Sequence, residues 1–222
     1  MPPPIRGLVV DDHEMLSEAL ALLLERQPGL DLLGSASDAE EALRRCRAES
    51  PDVVLMDLEL PGMDGIEATR RIRRACPATK VVVLSAESSA DLIANALAAG
   101  ACGYVPKAEP VEDLLAAIRR AASGEIVVRA KDLPQVLEVL RSRPAPAPAG
   151  ARALRHLTAR ETEVLRALAV GDSTAGIAER LGISPMTVQS HVKNILAKLR
   201  VHSKIEAVTL AWRHGLAAAR SA

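Results

Sequence analysis

Four short apolar runs in the first half of this chain each end in a residue able to do chemistry. Leu8-Val9-Val10 runs into Asp11-Asp12. Val53-Val54-Leu55-Met56 ends in Asp57, which opens the turn Leu58-Glu59-Leu60-Pro61-Gly62-Met63-Asp64-Gly65. Val81-Val82-Val83-Leu84 ends in Ser85, and Tyr104-Val105-Pro106 leads to Lys107. Amphipathic stretches of helical length separate these runs, and that alternation predicts repeated βαβ units closing on a parallel sheet. In an open parallel sheet the ligand crevice lies outside the carboxyl ends of the strands. Asp11, Asp12, Asp57, Ser85 and Lys107, scattered along the sequence, are therefore expected to meet in one acidic pocket.

Five strands are expected near residues 5–10, 30–35, 52–56, 80–84 and 102–105, each Val/Leu-rich and without clean alternation, as when both faces are covered. Five helices fill the gaps. Ser37 with Glu40 predicts a capping box for the second helix, and Pro110 with Glu112 and Asp113 suits the first turn of the fifth. Residues 132–141 read as a separate amphipathic helix, and the tract Arg143-Pro144-Ala145-Pro146-Ala147-Pro148-Ala149-Gly150 reads as a semi-extended linker. Beyond it, Leu154 to Leu216 has helical periodicity, with Thr158 and Ser184 as N-caps and Pro185 at a first helical position. The expected organisation is an α/β domain over 1–122, with a doubly wound five-stranded parallel sheet, a linker with a helix over 123–153, and an all-α four-helix domain over 154–222.

Charge divides along the same line. Residues 1–140 hold 15 Lys and Arg against 23 Asp and Glu, while 141–222 hold 13 against 5, so a neutral chain consists of a half at −8 and a half at +8. An acidic domain suits a cation and a basic one a polyanion, which makes nucleic acid the expected partner of the second half. Cys46, Cys76 and Cys102 have neither CxxC nor Cys/His spacing, so they read as packing residues in a reducing compartment. The longest Leu-rich run, near Leu20 to Leu24, is far short of the roughly 20 residues of a membrane span, and no basic-headed apolar signal opens the chain. A cytoplasmic protein without membrane contact is expected.

Three converging carboxylates repel one another unless neutralised, and the usual relief is a hard divalent cation with oxygen ligands, most readily Mg²⁺. Asp12 and Asp57 are candidate ligands, with Asp11 one water further out. A carboxylate also accepts phosphoryl groups, in a transfer that depends on positioning and on neutralising the equatorial oxygens. Mg²⁺, Lys107 and the Ser85 hydroxyl would supply that neutralisation. With these positions in place, residues 5–122 resemble a response-regulator receiver domain of the CheY-like, flavodoxin-topology kind. The resemblance implies that Asp57 is the phospho-acceptor, that Asp11 and Asp12 form the acidic pair for Mg²⁺, and that the backbone carbonyl of Glu59 completes the metal site. It further implies Ser85 as switch hydroxyl, Tyr104 as switch aromatic and Lys107 as phosphate-binding lysine. The Glu59 side chain, beside the pocket, is placed to tune the lifetime of an aspartyl phosphate.

Residues 185–200, read as a helix, put Val188, Val192, Ile195, Leu196 and Leu199 on one stripe and Gln189, Ser190, Lys193, Asn194 and Ala197 on the other. A short helix around Ile177-Ala178-Glu179-Arg180-Leu181 and the turn Gly182-Ile183-Ser184 precede it, which is helix-turn-helix spacing. Leu157-Thr158-Ala159-Arg160-Glu161-Thr162-Glu163-Val164-Leu165, with Ile177-Ala178, Thr187-Val188, His191-Val192 and Lys198-Leu199, resembles the LuxR-type helix-turn-helix. Joined to a receiver, it is the architecture of NarL/FixJ-family response regulators. That resemblance places Gln189, Ser190 and Lys193 at base edges and Thr187, Lys198 and Lys204 near phosphates, with Lys193 suited to guanine and Gln189 to adenine. Two positions depart from the family pattern. Thr174-Ala175-Gly176 replaces a polar run, which puts the short helix in question because Gly costs roughly 1 kcal/mol in a helix interior, and Gln189 stands where a Lys is frequent. Ile205, Val208, Leu210, Ala211 and Trp212 give the last helix more apolar surface than a terminal helix needs, and part of it is expected to meet a second copy.

The expected protein is a transcriptional regulator whose Asp57 takes a phosphoryl group from a histidine kinase and which then binds double-stranded promoter DNA as a homodimer. Two rivals share the motifs. One is a DNA binder that ignores phosphorylation, and the other is a Mg²⁺-dependent phosphohydrolase with Asp57 as nucleophile and Glu59 as acid.

Overall fold

The computed structural model describes residues 3–142, 154–201 and 204–216. Strands β1 (Ile5–Val10), β2 (Leu30–Ala36), β3 (Val53–Asp57), β4 (Lys80–Ser85) and β5 (Gly103–Pro106) form one parallel sheet in the order β2-β1-β3-β4-β5. The order reverses direction after β1, so the topological switch point opens beside β1 and β3, where a ligand crevice is expected. Helices α1 (Glu14–Glu25), α2 (Ala39–Glu49), α3 (Gly65–Ala75), α4 (Ala90–Ala99) and α5 (Val111–Ala122) connect the strands. Successive side chains of a strand point to opposite faces, and both faces here are apolar. Val9, Leu55, Val82 and Leu84 pack with Leu20 and Leu24 of α1 and Leu115 and Ile118 of α5. Leu8, Val10, Val54 and Met56 pack with Ala42 and Cys46 of α2 and Ala68 and Ile72 of α3. Two-sided burial explains why the strands read as unbroken apolar runs.

Register carries the polar strand ends to one level. Val10 stands beside Met56, Asp57 beside Leu84 and Ser85 beside Pro106. Asp11 therefore follows β1 at the height of Asp57, and Lys107 follows β5 one step beyond Ser85.

The helix starts differ from expectation in one place. Asp38, not Ser37, caps α2: its side chain accepts the Glu41 N–H at 2.8 Å, and Glu41 reaches back to the Ser37 N–H at 3.2 Å. Glu41 thus bonds the N–H one residue before the cap, so the pair is not a capping box, and the Asp38 carboxylate alone meets the amide at the N3 position. Pro110 sits at the N-cap of α5 rather than inside it.

The second unit begins at Leu133. Residues 123–132 fold onto the first unit, where Val127 forms a single parallel bridge to Gly103 at the outer edge of β5. The break between the units thus falls within the expected linker of 123–153, and α6 (Leu133–Ser142) goes with the helical unit. The Pro/Ala tract lies outside the described residues. Helices α7 (Ala159–Ala169), α8 (Thr174–Leu181), α9 (Pro185–Leu199) and α10 (Lys204–Arg213) enclose a core of Val164, Leu165, Ile177, Val188, Ile195 and Leu210. Thr158 caps α7 in a full capping box with Glu161, and Ser184 caps α9 ahead of Pro185 at the first helical position. The short helix α8 forms despite its glycine, since Gly176 occupies the first turn and its N–H is bonded by the Ser173 hydroxyl at 3.1 Å.

The apolar surplus of α10 is also accounted for within the chain. Ile205, Val208, Leu210 and Ala211 are buried. α6 lies against α10 and carries the buried Val136 and Leu140, and the Arg141 guanidinium stands 5.5 Å from the centre of the Trp212 ring. Trp212 donates its indole N–H to the Ala169 carbonyl at 3.1 Å. Val136→Ala is expected to lower the stability of the helical unit by about 1–3 kcal/mol, within the range for buried truncations. Fluorescence of Trp212, the chain's single tryptophan, followed through urea unfolding reads that loss directly.

Candidate phosphoryl-acceptor pocket and nucleic-acid helix

The ends of β1, β3, β4 and β5 bring the predicted pocket residues together. Asp11 and Asp57 are buried, with 3 % and 2 % of their surface exposed, and the Lys107 ammonium donates to both, at 2.7 Å to Asp11 Oδ2 and 2.9 Å to Asp57 Oδ2. Asp57 Oδ1 accepts the Leu58 N–H at 2.8 Å. Burial raises the Asp57 pKa, although the hydrogen bonds and charge of Lys107 oppose it. Lys107 is held above its ordinary value: burial works against the ammonium, and the bonds to Asp11 and Asp57 outweigh it.

Asp12 and His13 complete the mouth of the pocket from the more exposed side. His13 Nδ1 lies 3.2 Å from Asp11 Oδ1 and 3.0 Å from Asp12 Oδ1. Candidate ligand atoms of Asp11, Asp12, His13 and Asp57 all fall within 4.8 Å of one another. Three carboxylates against one ammonium leave an excess of negative charge, and a hard, oxygen-rich donor set of this kind fits a divalent cation. His13 escaped the sequence reading, although its position directly after Asp11-Asp12 was the available signal.

Ser85 is buried beside the pocket and its Oγ accepts the Glu87 N–H at 3.2 Å. The Lys107 N–H in turn donates to the Ser85 carbonyl at 2.8 Å. Tyr104 is 2 % exposed and its hydroxyl donates to the Glu87 carbonyl at 2.8 Å. Burial raises the Tyr104 pKa. Ser85 and Tyr104 thus grip the same residue of the β4–α4 loop, one at its N–H and the other at its carbonyl. The Glu59 side chain is exposed beside the pocket.

Gly65 is the tightest point under the acceptor loop. A Cβ built there would lie 2.0 Å from the Asp57 carbonyl oxygen and 2.8 Å from Leu58 Cα, while the Gly65 N–H donates to the Leu58 carbonyl at 2.9 Å. Asp64 caps α3 from the adjacent position by accepting the Glu67 N–H at 2.8 Å. Gly65→Ala must therefore push the backbone of Asp57 itself. Overpacking of this kind costs about 1–3 kcal/mol or more, and circular dichroism should show the α/β unit unfolding earlier while the Trp212 transition stays in place.

In the helical unit, α9 presents Thr187, Gln189, Ser190, Lys193 and Asn194 to solvent, with Val188, Val192, Ile195 and Leu199 buried behind them. The Thr187 hydroxyl shares a 2.8 Å hydrogen bond with the Ser184 cap, and the Ser190 hydroxyl donates back to the Met186 carbonyl at 3.0 Å. Lys198 is tied to the capping box of α7. Its ammonium donates to Oε2 of the buried Glu161 at 2.7 Å, the same oxygen that accepts the Thr158 N–H at 2.7 Å. Its charge offsets that buried carboxylate while the side chain stays partly exposed. Lys204 begins α10.

The Glu161 pKa is lowered: burial acts to raise it, and the bonds from Lys198 and Thr158 prevail. A carboxylate lowered in the folded state contributes stability above its unfolded pKa, near 4.3 for Glu, and loses it as pH falls through the folded value. Glu161→Gln should cost the helical unit on the order of 1 kcal/mol at pH 7, since Lys198 is more than one-third exposed and the pair is screened. The difference from wild type should close as pH falls below about 4, read again by Trp212 fluorescence.

This pairing of a parallel α/β unit bearing a buried Asp–Lys–Asp pocket with a helix-turn-helix unit is the build of a response regulator, and the comparisons agree. Residues 8–119 match the response regulator receiver domain, and residues 155–211 match the bacterial regulatory proteins of the luxR family. The chain is 41 % identical over 214 residues to the transcriptional regulatory protein LiaR of Bacillus subtilis, covering 96 % of this chain and 99 % of that one. It is 35 % identical over 211 residues to the nitrate/nitrite response regulator protein NarL of Escherichia coli K12, covering 95 % of each. A solved structure of two RcsB dimers bound to two parallel DNAs shares the fold, with a TM-score of 0.57, 23 % identity, and coverage of 94 % of this chain and 98 % of that one. The chain belongs to the NarL/FixJ family: it is a two-component response regulator with a receiver and a LuxR-type DNA-binding domain.

Proposed function

We propose that Asp57 accepts a phosphoryl group from a histidine kinase and that this modification raises the affinity of α9 for promoter DNA. The observation that carries the reading is the Lys107 ammonium between Asp11 and Asp57, 2.7 and 2.9 Å from their oxygens. It orients the Asp57 carboxylate and leaves a cation beside the oxygen that a phosphoryl group would reach. In the transfer, a carboxylate oxygen of Asp57 forms the new P–O bond as the donor's P–N bond breaks. The displaced imidazole of the kinase leaves with the donor.

Asp11, Asp12 and Asp57, with the Glu59 carbonyl, would hold Mg²⁺, which when bound neutralises the equatorial oxygens of the transferred group. Lys107 would take a phosphoryl oxygen, and the Ser85 hydroxyl would donate to another. Because Ser85 Oγ also accepts the Glu87 N–H, that donation draws on the β4–α4 loop, and Tyr104 follows through its bond to the Glu87 carbonyl. The receiver acts as a switch and turns over no separate substrate.

On the DNA side, the exposed Gln189, Ser190 and Lys193 read base edges, and Thr187 and Lys204 lie near phosphates. Lys198 belongs with these two, its ammonium shared with Glu161. DNA-bound dimers of RcsB support binding of this chain as a homodimer, with one α9 in each half-site.

The test incubates the full chain with Mg²⁺ and acetyl phosphate, and compares wild type with Asp57→Asn for acid-stable, base-labile phosphate and for retention on promoter DNA. Labelling confined to wild type, with tighter DNA binding after labelling, is the expected result. Equal DNA binding by both proteins without label would leave a phosphorylation-independent DNA binder, and steady release of phosphate from a simple phosphomonoester would point to a hydrolase.

A further inference from the structure

Residues 125–132 continue past α5 and return to the edge of β5. Val127 donates its N–H to the Cys102 carbonyl at 2.7 Å and accepts the Tyr104 N–H at 2.9 Å, so its backbone clamps both sides of Gly103. Two residues later Arg129 places its guanidinium among three segments. Nη1 donates to Glu109 Oε1 at 2.9 Å, Nε donates to Asp132, and Nη2 donates to the Ser88 hydroxyl. The ion-paired side chains are sheltered, with 25 % of Arg129, 25 % of Glu109 and 20 % of Asp132 exposed.

The identity of the three partners gives this node a direction. Ser88 lies in the β4–α4 loop three residues after Ser85, and Glu109 lies two residues after Lys107. Both loops leaving the phosphate-facing side chains are therefore held by one guanidinium. Asp132 immediately precedes Leu133, the first residue of α6. The partners also differ in strength. Two carboxylates make charge-assisted bonds that fix the guanidinium to the β5–α5 loop and to the base of α6, whereas Ser88 offers a neutral, exposed hydroxyl that is cheap to exchange. A rearrangement of the β4–α4 loop breaks the Ser88 contact first and leaves the other two.

From this geometry we infer that Arg129 is the positioning residue through which a change at Ser85 and Lys107 reaches α6. With the Ser88 contact made, the β4–α4 loop, the β5–α5 loop and the start of α6 are tied together. When Ser85 turns to a phosphoryl group and Glu87 shifts with it, Ser88 leaves Arg129 and the start of α6 is released from the loop that senses the modification. The inference rests on the phosphoryl-acceptor reading of Asp57. Arg is required for it because a planar fork reaches three acceptors at once, which a lysine ammonium on a flexible stem does not reproduce.

The experiment uses the full chain in three forms: wild type, Arg129→Ala, and Ser88→Ala, the last of which removes the loop contact while leaving both ion pairs. Each is labelled with acetyl phosphate and Mg²⁺, and its promoter affinity is measured before and after. Hydrogen exchange at residues 86–89 and 127–132 is followed in the unlabelled proteins. Allosteric gains are commonly about 5–150-fold. Both variants should take label at the wild-type rate, while their affinity gain on labelling falls to within about threefold of unity. Exchange at 86–89 should quicken several-fold in both variants, and at 127–132 in Arg129→Ala. A wild-type gain that persists in both variants would overturn the role of Arg129, as would unchanged exchange in both. Labelling slowed in proportion to the lost gain would also overturn it, by placing Arg129 with the acceptor pocket. A wild type that takes label and gains no DNA affinity would instead overturn the functional reading itself.

Discussion

The Lys107 ammonium is the interaction on which the first unit's organisation turns. Two buried carboxylates at the ends of neighbouring strands would otherwise repel across a site with little water, and an uncompensated buried charge is costly. One ammonium from the end of β5 bridges Asp11 and Asp57, and so ties the termini of β1, β3 and β5 across the switch point of the sheet. The balance is incomplete, because Asp12 adds a third carboxylate at the rim. That residual charge gives the pocket its appetite for a cation. Phosphorylation of Asp57 would convert the oxygen that accepts from Lys107 into part of an acyl phosphate, so the lysine must find a phosphoryl oxygen instead. On the proposed reading, release of that pairing at one point would let a small covalent change bear on two loops.

The α/β unit was largely legible in the sequence because its information is local. Each strand is an apolar run, each functional residue is the first polar position after it, and parallel βαβ topology places such positions on one edge. The five pocket residues needed no knowledge of packing to be grouped. What lay hidden were contacts set by side-chain reach between distant segments. Arg129 meets Ser88 and Glu109 across 41 and 20 residues, and no periodicity marks it. The return of residues 123–132 to the first unit was hidden for the same reason: Val127 joins β5 through one backbone bridge, too short a pairing to leave an alternating pattern. The shift of the α2 cap from Ser37 to Asp38 is a choice between adjacent residues with equal capping chemistry, which only backbone geometry resolves.

In the helical unit the sequence did not show which charges are paired within the fold. Lys198 lies on the helix expected to meet phosphates, and it also faces Glu161, which is buried by its capping box and needs a cation. The apolar residues of α10 were assigned partly to a second copy because the helix was judged against its own four-helix unit. With α6 grouped in that unit, Val136, Leu140 and Arg141 supply additional packing against α10.

That packing bears on how a signal entering at Asp57 would be received. α6 is joined at its first residue to Asp132, which Arg129 holds, and near its last residues to Trp212 through Arg141. α6 therefore follows directly on Asp132 in the chain, and its end is set against the helix that follows α9. A cation over an aromatic face contributes about 0.5–2 kcal/mol depending on its exposure, enough to bias the placement of a short helix without locking it. Coupling between sites requires an element with alternative placements that both sites can influence. Neither the Asp132 nor the Arg141 contact involves the exposed face of α9, so a switch acting through α6, as inferred above, would leave the sequence preference of that face to its own side chains.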